Sequence, residues 1–391
     1  MKQLIYPATR AVEHACTQAG VVPQRLFAVL LPLWQVEVGA DVQEEQQFEV
    51  IDHFIVRAIA EGDLHDRDAL VAFLGLPAGL VDRCLAYLRR IGHVTDPGPR
   101  LDLTDLGRES VSAGVRKVVK SSRQTILIER QTGWPLPRAH YDAGVAVLDS
   151  PEPVQGQLFD STRFLRVFTA AGFDPQVLAR LETHPDRDGF NLPSGLHNLR
   201  QGEVSEGFLP AYLIETTDGQ LLGYSALGEH RDDFVEKVFA ATPVHHLVQA
   251  ESADSPAEIW REWLAQTPAY GSGELEQLPD GRWRVVLTAG DFGEAPKVPL
   301  IQLGAYRLRE NHFLQVWCED EATRQAALYR RTLGISTLPE VTTEAELLRR
   351  MRNLAGTLQV PEITMKQLRE HAQHVGGGRH LDRLDALADR H

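Results

Sequence analysis

Apolar side chains recur at three- and four-residue spacing from Phe48 onward: Phe48, Ile51, Ile55, Ala58 and Ile59 line one face of FEVIDHFIVRAIAEG. That is the period of a helix with one buried side. A short helix is expected next in DRDALVAFLGL, opened by Asp66, whose carboxylate can accept orphan backbone N–H groups. A third runs through PAGLVDRCLAYLRRIGHV. Pro77 suits its first turn, Leu80, Val81, Cys84, Leu85 and Leu88 form its inner stripe, and Gly92 caps it. The turn Asp96-Pro97-Gly98 and the alternating Leu101 and Leu103 then predict a hairpin within TDPGPRLDLTDLGRESV. Three helices closed by a hairpin predict a winged helix over 48–111.

The patterning on either side differs. Upstream, a helix is expected from Thr9 to Ala19, followed by RLFAVLLPLWQVEV. Pro32 interrupts that apolar run, which reads as a buried strand or a broken helix. Downstream, VRKVVKSSRQTILIER reads as a basic helix completing an N-terminal segment of 1–130. Residues 131–160 form a connector marked by Pro135, Pro137, Pro151 and Pro153, too apolar at Trp134, Tyr141 and VAVL for a disordered tether. The block 161–335 shows helical signals in TRFLRVFTAAGF and DPQVLARLETH, then hairpins turning at Thr217–Gln220, Pro279–Gly281 and Glu310–Asn311, with helices between them. Hairpins punctuated by helices predict an antiparallel α+β domain. The tail, 340–391, reads as helices EAELLRRMRNLAG, TMKQLREHAQHVGGG and RHLDRLDALADRH. The fold class is α+β and multidomain.

The run LDLTDLGR, Leu101 to Arg108, resembles the "L-T-x-x-G" wing end of MarR- and PadR-like winged-helix regulators. The resemblance covers about a sixth of the chain. It implies that the third helix, Pro77 to Gly92, would enter a DNA major groove, offering Arg83, Arg89 and Arg90 against the opposing Asp82. Charge opposes that role. Eleven acidic against seven basic residues between Phe48 and Ser112 leave a net charge of −4, a poor footprint for a DNA reader. The concentrated cations come just after, as Arg116, Lys117, Lys120, Arg123 and Arg130 against Glu129. They read either as a phosphate-contacting helix, with Ser121 and Ser122 as extra donors, or as a linker helix paired with a neighbouring acidic surface.

Composition narrows the context. A formal charge of −14 over 391 residues repels phosphate backbones, so any nucleic-acid contact needs a local basic surface. No apolar run reaches the ~18 residues of a membrane span. The start, MKQLIYPATRAVEHAC, lacks the apolar core and cleavage site of a secretory signal. Three dispersed cysteines, Cys16, Cys84 and Cys318, point to a reducing compartment, and cytoplasm is expected. Arginine outnumbering lysine, with abundant Ala, Leu, Gly and Val, is the bias of a high-GC bacterial genome.

Motifs for chemistry are missing. Neither G-x-x-x-x-G-K-[ST] nor a strand followed by G-x-G-x-x-G occurs. His371 and His374 lie three apart where a zincin helix needs four, and adjacent His245 and His246 on an extended segment would face opposite ways. Glu319, Asp320 and Glu321 sit where a helix start wants negative charge. Asp291, Glu294 and Lys297 supply only part of a metal-dependent nuclease set. No G-x-S-x-G elbow exists, Cys84 and Cys318 fall on apolar faces, and Trp260 and Trp263 share a helix as core residues would. No catalytic residue, metal or cofactor is assigned. The expectation is a non-enzymatic scaffold or regulatory subunit of a bacterial cytoplasmic assembly, whose winged helix recognises another protein. The alternatives are a DNA-binding regulator and an enzyme with a site in 161–335. No membrane partner is expected.

Overall fold

The computed structural model describes residues 6–95, 100–150, 164–167, 169–228, 230–251 and 255–388, apart from the side chains of residues 245 and 249. The expected turn at Asp96-Pro97-Gly98 lies outside these residues, as do Pro151 and Pro153. The chain is an α+β protein with two sheets and a helical C-terminal region.

The apolar run around Pro32 is one strand, β1, Pro23–Gln46. Its first half is buried on both faces. Leu26, Ala28 and Leu30 pack on helix α1, Ala8–Thr17, and on the second sheet. Phe27, Val29, Leu31 and Leu33 pack on the opposite side. Double burial explains why the run lacks alternation. Pro32 does not break it. The Pro32 carbonyl accepts from the Arg130 N–H at 3.1 Å, so its missing donor faces the same edge. On that edge the short β3, Leu165–Arg166, pairs with Val29 and Leu30, and β2, Arg116–Glu129, ends opposite Leu33. Pro32 stands in the gap between two neighbours, where strand proline is tolerated.

Along its other edge β1 pairs with β4, Leu196–Thr216, which turns at Thr217–Gln220 into β5, Leu221–Tyr224. The main path β2-β1-β4-β5 is antiparallel. Thus the first hairpin expected in 161–335 shares a sheet with strands that precede the connector. The basic segment is not a helix. Arg116–Glu129 runs as β2 in unbroken register with Gln46–Leu33 of β1. The β-branched and apolar Val118, Val119, Ile126 and Ile128 suit a strand, and packing against Val36 and Val38 overrides any helical tendency.

Between β1 and β2 the chain leaves the sheet and returns, building a helical head from residues 47–115. It contains α2 (Val50–Ala60), α3 (Arg67–Leu74), α4 (Ala78–Arg90) and α5 (Asp105–Ala113). The expected devices are present. Asp66 accepts from the Asp68 and Ala69 amides, and Gly92 follows α4 at φ 76°. Val81, Leu85 and Leu88 are buried, while Leu80 and Cys84 are half-buried. Val94 bridges Leu103 in place of a longer hairpin, because Thr104 caps a helix, α5, over residues expected as strand. Gly107 lies so close to the His93 carbonyl that a Cβ would overlap it.

The second sheet corrects the antiparallel expectation. Its order is β6 (Glu274–Gln277), β7 (Trp283–Leu287), β9 (His312–Cys318) and β8 (Tyr306–Arg309). The β6–β7 and β8–β9 hairpins turn where expected, but β7 and β9 are parallel. Residues 288–311 supply the long crossover that a parallel pair needs. Helices α11 (Glu321–Ser336), α12 (Glu344–Leu358), α13 (Met365–His374) and α14 (Gly378–Ala388) cover this sheet. The remaining described helices are α6 (Arg138–Asp142), α7 (Gln176–Glu182), α8 (Asp233–Ala241), α9 (Val244–Ala250) and α10 (Pro256–Gln266). Leu165–Arg166 of the expected helix TRFLRVFTAAGF is strand β3 instead, held by β1.

Gly107→Ala should destabilise the head by about 1–3 kcal/mol, since backbone must shift to admit the methyl group. Native-state hydrogen exchange should show faster exchange in α2, α4 and α5, with β7 and β9 protected as before. Unchanged protection in the head would show that the contact is not limiting.

Candidate functional site

The head sits at the far end of the paired strands, and its surface carries the candidate contacts. On α4, Arg83 and Arg90 are exposed and Arg89 is half-buried, its Nε without a hydrogen-bond partner among the described residues. Arg90 lies over the Tyr87 ring at 5.2 Å. None of the three has an ion pair among the described residues. The opposing acid is accounted for differently. Asp82 receives both Nε and Nη2 of Arg67 at 2.7 Å, from α3. Those bonds hold the Asp82 carboxyl below its ordinary range. The outward face of α4 is therefore more cationic than the sequence balance indicates.

The basic segment behaves in the opposite way. Successive residues of a strand point to opposite faces, so β2 cannot present its cations as one stripe. Arg116 donates to Gln46 Oε1 at 2.6 Å, and its guanidinium lies 5.5 Å from the Tyr87 ring centroid. Lys117 pairs with Glu109 at 3.4 Å and Lys120 with Glu44 at 2.5 Å. Arg130 pairs with Glu206 at 2.9 Å and stacks over Trp34 at 4.1 Å. Arg123 is exposed and has no ion pair among the described residues. The structure brings Arg116 beside α4 and disperses Lys117, Lys120 and Arg123 along the ladder.

Apolar exposure is the feature that charge counting missed. Val50, Phe54 and Phe73 are 71%, 54% and 65% exposed, on α2 and α3. Val50 and Phe54 are four residues apart and so share one helix face, opposite the buried Asp52, Ile55 and Ile59. Between α2, α4 and the start of β2 lies a cleft of about 550 Å³ lined by Asp52, Arg83, Cys84, Tyr87 and Arg116. Burial pushes the Asp52 carboxyl up, opposed by a hydrogen bond with Cys84 and by the charge of Arg116.

Elsewhere the polar clusters serve the fold. Asp232 caps α8 and accepts from Ser225 Oγ at 2.5 Å, with His140 Nε2 at 2.9 Å. Burial opposes its ionisation, but the His140 and Ser225 contacts hold its carboxyl below the ordinary range. Both side chains of the His140–Asp232 pair are 1% exposed, closed to any substrate. Asp291 closes its own 3-10 turn and binds Lys297 at 2.9 Å; the Lys297, Thr288 and Ser272 bonds bring its carboxyl down to about 2. Asp320 caps α11 and Glu319 accepts from the Trp317 indole. His371 stacks on Tyr329, and His374 contacts the Glu370 carbonyl. Among the described residues, no group of three or more His, Cys, Asp or Glu side chains could hold a metal ion, and no single helix is long and apolar enough to cross a membrane. No family model, curated protein or solved structure matches the chain.

His93 ties the head to the ladder. It is fully buried, and its Nε2 lies 2.6 Å from the Lys117 carbonyl and 3.3 Å from Ser110 Oγ. Burial lowers its pKa from the ordinary 6.5, against the raising effect of the Lys117 carbonyl. The unfolded chain then takes up a proton before the folded one does. Head stability is present above about pH 6.5 and falls as the pH drops below it. Amide protection of α4 and α5, measured from pH 7.5 to 5.5, should decline, and His93→Gln should flatten that decline. A flat wild-type profile would exclude His93 as its source.

Proposed function

We propose that the chain is a non-enzymatic binding protein of a bacterial cytoplasmic assembly, in which a winged-helix head held out on paired strands docks another protein. The observation that carries this reading is the exposure of Val50 and Phe54 on one face of α2, and of Phe73 on α3, the two helices that do not read a groove in winged-helix proteins. Large side chains this exposed are the usual anchors of an interface core, where aromatic residues are enriched. Ion pairing of Arg116's neighbours, Lys117 and Lys120, within the chain supports it further, because those cations are already engaged.

DNA binding is the second reading, favoured by one specific observation: Arg83, Arg89 and Arg90 are free of ion pairs among the described residues while Asp82 is neutralised by Arg67. The two readings respond to different substitutions. For protein docking, a partner crosslinked to the full-length chain in its native host should be lost on Phe54→Asp/Val50→Asp, each weakening the contact by roughly tenfold or more. Arg89→Ala/Arg90→Ala should leave it in place. For DNA, fluorescence anisotropy with a duplex at low salt should show binding that falls steeply with salt and is lost in the double-alanine variant. Retention of every crosslinked partner by the aspartate variants would overturn the docking reading, and absence of duplex binding at low salt would remove the second.

A further inference from the structure

Five arginines gather away from the head, from both ends of the described chain. A cavity of about 360 Å³ opens between α1, α11 and α12. Arg10 reaches it from α1, Arg330 and Arg331 from α11, and Arg349 and Arg350 from α12. The only carboxylate among its described lining residues is Glu13, which Arg331 already holds at 2.8 Å. Arg331 also donates to the Leu303 carbonyl at 3.1 Å, so its guanidinium is fixed in place. Glu346 braces the α12 pair from behind, at 2.7 Å to Arg349 and 2.6 Å to Arg350. Arg330 is exposed and has no ion pair among the described residues. Ile301, Ile335, Leu338 and Leu354 add an apolar patch to the wall, beside the polar Thr17, Asn353 and Thr357.

A second hollow of about 340 Å³ shares Thr17, Asn353 and Thr357 with the first and adds Arg282, Arg284 and Arg352. Asp280 holds Arg282 at 2.6 Å, and Gln315 holds Arg284 over the Trp317 ring. The two hollows flank the contact between α1 and α12. Glu13, Glu346 and Asp280 offset part of this guanidinium charge, while the cations lining the two hollows outnumber the carboxylates that line them.

We infer that the cavity between α1, α11 and α12 binds a small phosphate-bearing molecule, its phosphate oxygens on the arginines and its organic part against the apolar wall. A monocarboxylate would satisfy one guanidinium fork, whereas phosphate has three acceptor oxygens and more charge, matching donors that arrive from three helices. The volume falls within the range of small-molecule sites. This inference does not depend on the head's function.

His14 reports on the site. It lines the cavity, with Nδ1 3.0 Å from the Tyr224 hydroxyl. Burial lowers its pKa, and His230, Arg349 and Arg231 lower it further, as a positive surrounding should. A bound anion would oppose that field and raise it.

Pyrophosphate is the probe, titrated calorimetrically into the full chain at low salt. One saturable site per chain is expected, weakened roughly tenfold or more by Arg330→Glu at an exposed position. The His14 imidazole, followed by NMR, should titrate at higher pH when pyrophosphate is present. Citrate at equal concentration should bind more weakly. Absence of saturable binding at millimolar pyrophosphate, equal binding by a folded Arg330→Glu variant, or equal binding of citrate would each overturn the phosphate assignment.

Discussion

Everything else in the molecule is arranged along the backbone ladder of β1. Its 24 residues carry β2 and β3 on one edge and β4 on the other. A strand this long with both edges paired has few orphan amides, and of its two residues without a donor Pro23 opens the strand and Pro32 falls where neighbours change. The same strand serves two environments. Near its start both faces are covered, by α1 and the second sheet on one side and by α8 on the other. Towards its end one face keeps Val36, Val38 and Ala40 in a core with α7, while the other shows Gln35, Glu37 and Asp41. The ladder thus passes from core to arm without a break, and it fixes the head by two adjacent strands instead of a single flexible linker.

That attachment governs what the head's charges mean. A net charge of −4 treats each side chain as equally available, but geometry sorts them. Arg67 takes Asp82, and Glu109 and Glu44 take Lys117 and Lys120. What stays outward and unpaired includes Arg83 and Arg90 on α4, and the apolar Val50, Phe54 and Phe73 on α2 and α3 among exposed acids such as Glu49 and Asp68. Exposed pairs such as these contribute little stability, about 0–1 kcal/mol each, yet they decide which charges a partner meets.

Much of the head was legible in the sequence because its signals are local. Helical spacing, the Asp66 cap and Gly92 all act within a few residues, and the L-T-x-x-G run has a physical reason in Gly107 against His93. The errors share a different cause. Arg116–Glu129 reads as a helix from its cations, whereas the β-branched Val118, Val119, Ile126 and Ile128 suit the strand that pairing with β1 imposes. The parallel pairing of β7 with β9 leaves no local mark, since hairpin turns report only adjacent strands. The exposed Val50 and Phe54 look like any helix residues until the buried face is known. Twin arginines at 330–331 and 349–350 were the available hint of the cavity, but only the packing of α1 on α12 brings them to one place.

The two cationic regions differ in the way that matters for ligand size. On α4 Arg83 and Arg90 project from a convex helix into solvent, where salt screens them beyond about 8–10 Å and a large, flat partner could approach. Around α1, α11 and α12 they line a concave wall backed by apolar side chains, where lower dielectric and converging donors strengthen the field on anything small enough to enter. An acidic surface elsewhere would repel an extended polyanion before it reached that cavity, but would scarcely hinder a compact one. The same net charge of −14 that weakens the case for DNA at the head therefore weighs far less against a small anion at the C-terminal body.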